Sequence, residues 1–424
     1  MVLVNSILSE VEPKWLIFFI FRIYTILRPL SIQALHQFNQ TPGNGCTRYS
    51  FSKEDRQARN YIQTEMEKIG LSVLTDAYGN VLIFGQGKSN RHVIIGSHID
   101  TVPNGGDYDG ILGVVSGLEI LRHFHEEKIV PEVGLVVVAF AEEEGNQFGM
   151  PCVGCHSMVN LKREEALNRV RDDGKTYQEL MEPFICDDER GSMDFSKIMA
   201  MLEIHVEQGP VLWREDLEVG IVEGIFGLQR YMILVEGVSN HSGATPMTER
   251  QDSMVAAASM IQSVRLRGRE AMPQVATVGR IHCHPNTVNI IPDSVEFSVE
   301  VRDFDKKQID ATYELLWKDF DRIAETEGVK WSKRPVGTSP VIHLDSDLIG
   351  QMDQIAETLG VKAKRIVSGA AHDAAIVAAF IPTEMLFVQS VEGRSHCPEE
   401  YTPIEKIVPA VRMAEQWVRE MKSK

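Results

Sequence analysis

The sequence lacks a basic cluster. Asp and Glu number 60 against 43 Lys and Arg, a formal net charge of −17, and that sign argues against a nucleic-acid backbone as partner. It also lacks a disulfide framework. Six cysteines (Cys46, Cys152, Cys155, Cys186, Cys283, Cys397) are scattered over 424 residues, the pattern of reduced thiols in a cytoplasmic protein. There is no tandem repeat, so a repeat array is excluded. Long apolar runs are missing too. The densest, Trp15–Leu27, is short and interrupted by Arg22, below the roughly 20 residues that span a bilayer. Glu10 and Glu12 precede it and no small-residue cleavage site follows, which weakens a signal-peptide reading. It reads as a packing helix inside an amino-terminal extension, residues 1–31, with no membrane role expected.

What is present is ordinary in bulk and specific in detail. Hydrophobic residues at 43% and charged residues at 24% match a globular protein, and the length requires two domains or three. Val93-Ile94-Ile95 reads as a buried strand and Ile111–Leu121 as a buried helix. The Gly-rich stretch between them places His98 and Asp100 at a strand end and Asp109 at a helix start. In open α/β sheets that edge binds ligands. An imidazole and a carboxylate delivered there can share a cation, with Asp100 holding the other ring nitrogen of His98. The same residues read equally as a structural loop histidine and a helix N-cap.

Further along, Lys53–Ile69 reads as a helix capped by Ser52, and Val73-Leu74 and Val81–Phe84 as strands. Gly134–Ala141 is continuously apolar, as in a sheet covered on both faces. It ends in Glu142, Glu143 and Glu144. Three buried carboxylates are costly without cations, and neighbours on extended chain point in different directions. One can therefore bind metal while the next faces a water. Ala200–Glu207 is another strand and brings His205 to its end, followed by Gln208. Cys152-Val153-Gly154-Cys155-His156 matches a c-type haem attachment run, but export signals and a second zinc-ligand pair are both missing. These cysteines read as packing residues in a loop.

After about Trp213 the pattern becomes strand, helix, strand, strand, helix, strand: strand-like runs in 220–237, a helix over Arg250–Arg267, strands at Val275–Ile281 and Ser294–Arg302, a helix over Lys306–Glu327 and a strand at Val329–Val336. This is a ferredoxin-like unit inserted into the first domain. Its loops carry His241 and Asn289, and Arg302 stands at a strand end. Arg302 suits a substrate carboxylate and reads equally as an ordinary salt bridge. The α/β pattern resumes after Gly337. It delivers His372-Asp373 at a helix start and His396 on a loop, and closes with a helix over Ile404–Met421.

From about Ile32 onward the chain resembles the dinuclear-metal amidohydrolases that include N-carbamoyl-L-amino-acid hydrolase, β-ureidopropionase and allantoate amidohydrolase, within the aminoacylase and carboxypeptidase G superfamily. The segments that carry the resemblance are GSHIDTVPNGGDYDG, AEEEGNQFG, EIHVEQGPVL, NHSGATPM, NTVNIIP, SGAAHDA and SHCPEE. The resemblance implies an α/β dinuclear-zinc-peptidase-like catalytic domain over 1–212 and 338–424, with a ferredoxin-like dimerisation or lid domain over 213–337. It implies two divalent ions per chain: one on His98, Asp109 and His205, the other on Asp109, Glu144 and His396. Zinc fits the mixed N/O ligation, and manganese, cobalt or nickel can occupy such sites. Glu143 would be the general base, with Asp100 beside it. Gln208, His241, Asn289 and Arg302 would bind a small ureido acid, His241 reaching across a homodimer interface. The expected reaction is hydrolysis of the ureido C–N bond of an N-carbamoyl-L-amino acid to amino acid, carbon dioxide and ammonia. Allantoate is the alternative substrate, supported by Asn240 and Asn286-Thr287-Val288-Asn289. A non-catalytic binding protein on the same fold is the remaining alternative.

Overall fold

A computed structural model describes residues 29–159, 163–185, 193–270 and 275–423. The apolar stretch Trp15–Leu27 and Cys186 lie outside the described residues. The chain divides into two compact units. One runs to Glu223 and adds Leu344–Ile366 and the chain from His372 onward; the other is Gly224–His343 with Val367–Ala371. The first division falls later than residue 213 because Val219–Ile225 pairs with Thr383–Val388, Leu386 opposite Ile221 and Phe387 opposite Gly220.

The first unit is built on a mixed sheet whose centre is parallel. Gly134–Phe140, His92–His98, Ile198–Val206 and Thr383–Val388 lie side by side in that order, each parallel to the next. Val81–Phe84 and Val219–Ile225 flank them antiparallel. Gly134–Phe140 is buried at every position, as is Thr383–Val388, which is why these strands read as unbroken apolar runs. The helix Ile111–Glu126 covers the sheet with thirteen buried residues. Gly113 permits the close approach: a Cβ there would sit 2.4 Å from the Ile204 carbonyl oxygen. Sequence order runs from the His92–His98 strand to its neighbour on one side and then to its neighbour on the other. The carboxyl ends at this switch of direction form the edge where open α/β sheets bind ligands.

The second unit is an antiparallel sheet with two helices, Ser253–Glu270 and Lys306–Glu327. Gly227–Glu236 lies between Lys330–Ser339 and Ser294–Asp303. The strand expected at Val275–Ile281 is broken. Val275–Thr277 and Ile281–His284 pair separately with Ser294–Asp303, and residues 278–280 between them leave the ladder. The ferredoxin-like order survives because both pieces lie on the same neighbour. Burial along Ser294–Asp303 alternates strictly. Val295, Phe297, Val299 and Val301 meet Met260, Leu316 and Phe320 in the core, each fully buried apolar side chain contributing roughly 1.5–3 kcal/mol. Asp305 caps the long helix at its start and Gly328, with φ of 67°, ends it. Among the described residues no helix is long and apolar enough to cross a membrane.

Candidate active site

The central parallel strands deliver their side chains to one edge. His98 is the last residue of its strand, His205 the penultimate residue of Ile198–Val206, and Glu142–Glu144 come one residue, Ala141, after Gly134–Phe140. His396 sits on the loop beyond Thr383–Val388, with a φ of 56°. The loop from Ile99 returns Asp109 to the start of the Ile111–Glu126 helix. The N-cap of that helix is Gly110 rather than Asp109, so the Asp109 carboxylate is not spent on capping. Gly110 has φ of 68°, and a Cβ there would lie 2.4 Å from the His98 ring. Only glycine both adopts that backbone and leaves room for the imidazole.

Asp109 is the centre of the cluster. Its Oδ1 lies 3.5 Å from His98 Nε2 and 3.2 Å from His205 Nε2. Its Oδ2 lies 3.3 Å from His396 Nε2 and accepts hydrogen bonds from Gln208 Nε2 (2.7 Å) and Ser395 Oγ (2.8 Å). His396 Nε2 is 3.8 Å from Glu144 Oε2, and His98 Nε2 is 3.6 Å from Glu143 Oε2. Two groups of potential ligands thus share one carboxylate, one on each oxygen. The ligand atoms of His98, Asp109 and His205 all lie within 4.8 Å of one another, as do those of His98, Glu143 and Glu144.

The supporting contacts set the tautomers. His98 Nδ1 donates to the Asp100 main-chain carbonyl at 2.9 Å, and His205 Nδ1 to the Val206 carbonyl at 2.9 Å. In its neutral form each ring therefore turns an unprotonated Nε2 toward the cluster, that of His205 also accepting from the Gly110 N–H at 3.2 Å. The Asp100 carboxylate does not hold His98, as the two-residue spacing suggested; it is 3.8 Å away. It accepts instead from the backbone N–H of Glu143 (3.3 Å) and Glu144 (3.2 Å). Asp100 thereby orients the acidic pair. Of the three consecutive glutamates only two face the cluster. Glu142, at φ of 54°, turns away and accepts from the Gln147 N–H at 3.0 Å.

The electrostatics are those of buried carboxylates and imidazoles crowded together. Burial alone would raise Asp109, yet the charges and hydrogen bonds of His205, His396 and His98 hold it well below the usual carboxylate range. Burial and the neighbouring Asp109 push Glu144 up to about 7. Burial, with Cys152 and Glu144 nearby, holds Glu143 well above its ordinary value. The Asp109 hydrogen bond raises His396 to about 9. Among the described residues, Glu144 Oε1 and Gln208 Oε1 are buried without a hydrogen-bond partner, a cost that a bound cation removes. Three imidazoles and clustered carboxylates are also the donor chemistry of a divalent metal. The residues fit the group.

Glu400 was not legible as a site residue. Its Oε1 accepts from the N–H of Tyr108 and Asp109 at 2.9 and 3.0 Å, and its Oε2 from Ser395 Oγ at 2.6 Å. It fixes Asp109 from 291 positions away, a contact with no local signal. The expected substrate residues fall in both units. Gln208 stands among the ligands. In the second unit, Asn240-His241 pairs with Ile290-Ile291 and Ser242 N–H donates to the Asn289 carbonyl at 3.1 Å, which brings exposed His241 and Asn289 together. Arg302, on the Ser294–Asp303 strand, donates from Nε to Glu300 at 2.6 Å and from Nη1 to the Gly369 carbonyl at 2.8 Å.

The model of peptidase family M20/M25/M40 matches residues 94–420. A Pseudomonas (strain NS671) protein named N-carbamoyl-L-amino-acid amidohydrolase is 34% identical over 393 residues, 91% of this chain and 95% of its own. Allantoate amidohydrolase of Bacillus subtilis (strain 168) is 32% identical over 392 residues, 90% of this chain and 94% of its own. The crystal structure of a hydantoinase/carbamoylase family amidase from Burkholderia multivorans superposes with a TM-score of 0.85 at 30% identity, covering 94% of this chain and 96% of that one. With the matched segment spanning both units and every residue of the Asp109 cluster, the chain belongs to peptidase family M20/M25/M40.

Proposed function

We propose that the chain is a metal-dependent amidohydrolase that cleaves the ureido C–N bond of an N-carbamoyl-L-amino acid, releasing the amino acid, carbon dioxide and ammonia. The observation that carries the reading is the Asp109 carboxylate, whose two oxygens face His98 and His205 on one side and His396 on the other, with Glu143 beside them. His98, Asp109 and His205 would hold one divalent ion, and Asp109, Glu144 and His396 a second, with zinc as the native metal. Such ions would supply Lewis acidity and a water that ionises near neutral pH. Glu143 takes the proton of the attacking water and returns it to the leaving nitrogen. Asp100 keeps Glu143 and Glu144 in register through their N–H groups. Gln208, His241, Asn289 and Arg302 bind the substrate, Arg302 through the paired donors of its guanidinium. We further propose a homodimer formed through residues 213–337, with His241 acting across it, and a cytoplasmic location. Five unpaired cysteines among the described residues agree with a reducing compartment.

Allantoate is the second reading, favoured by Asn240 and by the 286–289 segment and by the similarity to the Bacillus subtilis enzyme. Purified protein loaded with zinc, manganese, cobalt or nickel is incubated with N-carbamoyl-amino acids of both hands and with allantoate, and ammonia release is followed. Faster turnover of an N-carbamoyl-L-amino acid supports the first reading, and faster turnover of allantoate replaces it with the second. No turnover of any ureido acid by folded, metal-loaded protein would leave a binding protein on an enzyme fold.

A further inference from the structure

The Cys152-Val153-Gly154-Cys155 segment takes no part in the chemistry above, and the sequence around it has no second ligand pair. The fold supplies further donors. Beyond Glu144 the chain doubles back, so that Cys152, Val153 and Gly154 donate their N–H groups to the carbonyls of Glu143, Glu142 and Ala141 at 2.9, 3.1 and 2.8 Å. The short helix Val153–Met158 begins there and brings the Cys155 thiol within 3.3 Å of the Cys152 carbonyl. Asp373, first residue of the helix Asp373–Val377, reaches the same spot from more than 200 residues away. Both sulfurs and a carboxylate oxygen of Asp373 lie within 4.8 Å of one another. Cys152 is 3% exposed, Cys155 and Asp373 0%. The Asp373 carboxylate is faced by the Cys155 thiol, a weak donor for a core carboxylate whose burial is costly. The Cys152 thiol also donates to Glu143 Oε1 at 3.5 Å.

We propose that Cys152, Cys155 and Asp373 form an additional binding site for a thiophilic divalent cation of the zinc and cadmium class, with Glu143 as fourth donor, and that filling it inhibits turnover by occupying the general base. Two sulfurs and a carboxylate suit such ions. On binding, both thiols release their protons to solvent as two metal–sulfur bonds form; no electron is transferred. The site shares no residue with the set formed by His98, Asp109, Glu144, His205 and His396.

The test uses the full-length, metal-loaded protein kept reduced with a phosphine. Cadmium chloride is titrated in while the near-ultraviolet thiolate-to-cadmium charge-transfer band is followed, and bound cadmium is counted after desalting. One equivalent per chain should produce the band, and activity should fall in step with it. Cys155→Ser should lose both the band and that equivalent while keeping its basal turnover, since Cys155 touches no reacting group. Cys155→Ala repeats the measurement without a buried hydroxyl if the serine variant melts early. Cadmium exchanging into the histidine and carboxylate set gives no thiolate band, so the spectral result stands apart from the proposed ureido chemistry. No band in the native protein, or an undiminished band in both Cys155→Ser and Cys152→Ser, would overturn the site. A full band with activity intact would overturn its inhibitory role, which rests on Glu143 being the base.

Discussion

Glu143 and Glu144 are adjacent in sequence and face different partners. Glu144 lies against His396 and Glu143 against His98, so under the proposed assignment a change at position 143 tests the base while His98, Asp109, Glu144, His205 and His396 stay in place. Glu143→Gln should lower kcat at least about a hundredfold, the usual scale of general-base catalysis, with metal content unchanged by elemental analysis. Full activity in the folded, metal-loaded variant would refute the assignment. Protons and cations compete for the neighbouring groups. In the ion-free protein Glu144 is protonated below about 7 and His396 below about 9, and a cation binds only their deprotonated forms. Metal affinity should therefore rise as pH rises from about 7 toward about 9, and uptake should release protons. A pH indicator in weakly buffered solution measures that release; affinity independent of pH across the window would contradict it. Arg302 is half-engaged already, through Glu300 and Gly369. Lysine keeps the charge and loses the fork. Arg302→Lys should weaken binding of a carboxylated ureido substrate by about 1.5–3 kcal/mol and leave a neutral urea's slow turnover alone. Equal loss on both compounds would mean that Arg302 supports the fold through Glu300.

The elements explain why distant residues converge. Four parallel strands place their carboxyl ends along one edge, and the ligand-type side chains follow from that polarity alone. The junction before the Ile111–Glu126 helix is the tightest point. There the positive φ of Gly110 and its packing on His98 occur together. Gly110→Ala should cost at least about 1–3 kcal/mol for the strained backbone, with a further penalty as the methyl displaces the imidazole. A urea midpoint shifted down together with loss of bound metal would report both effects. Native stability with native metal content would show that the loop relaxes freely. In the second unit the break at residues 278–280 carries a different lesson. Composition identified one strand; the sheet uses two short pieces against a single partner.

At the scale of the whole molecule, the proposed assembly makes a prediction that no single chain can. If His241 serves the partner's site, His241→Ala and Glu143→Gln chains should each be inactive alone. Mixed under conditions that exchange subunits, they form a hybrid in which one of two sites has both intact residues, a consequence of two-fold symmetry. Activity should return on mixing, and sedimentation should show a dimer throughout. No recovery despite demonstrated exchange would place His241 in its own chain's site or outside catalysis. The thiols add a second molecular property, because cadmium sensitivity of the native protein would depend on a segment that the ureido chemistry does not use.

Much of this protein was written in local pattern. Continuous apolar runs marked the buried parallel strands. The Ser52 cap marked the start of its helix, since its hydroxyl accepts the Asp55 N–H, and strict alternation marked Ser294–Asp303. The residues His98, Asp109, Glu143, Glu144 and His205 could be picked out because each sits at or just beyond the end of an element, and element ends are legible in sequence; His396 lies on a loop beyond its strand. Their mutual distances were not, because convergence depends on strand order and that order is a property of the sheet. The same holds for roles that pass through space. Asp100 supports the glutamate backbone rather than the His98 ring because the neighbouring strand ends beside it, and Glu400 reaches Asp109 only once the carboxyl-terminal loop is folded down. Cys152 and Cys155 do pack in the core, as the sequence suggested; that Asp373 stands beside them is decided by the fold. Local sequence determines which backbone forms and which side chains stand at its ends; the packing of strand on strand decides which of those side chains meet.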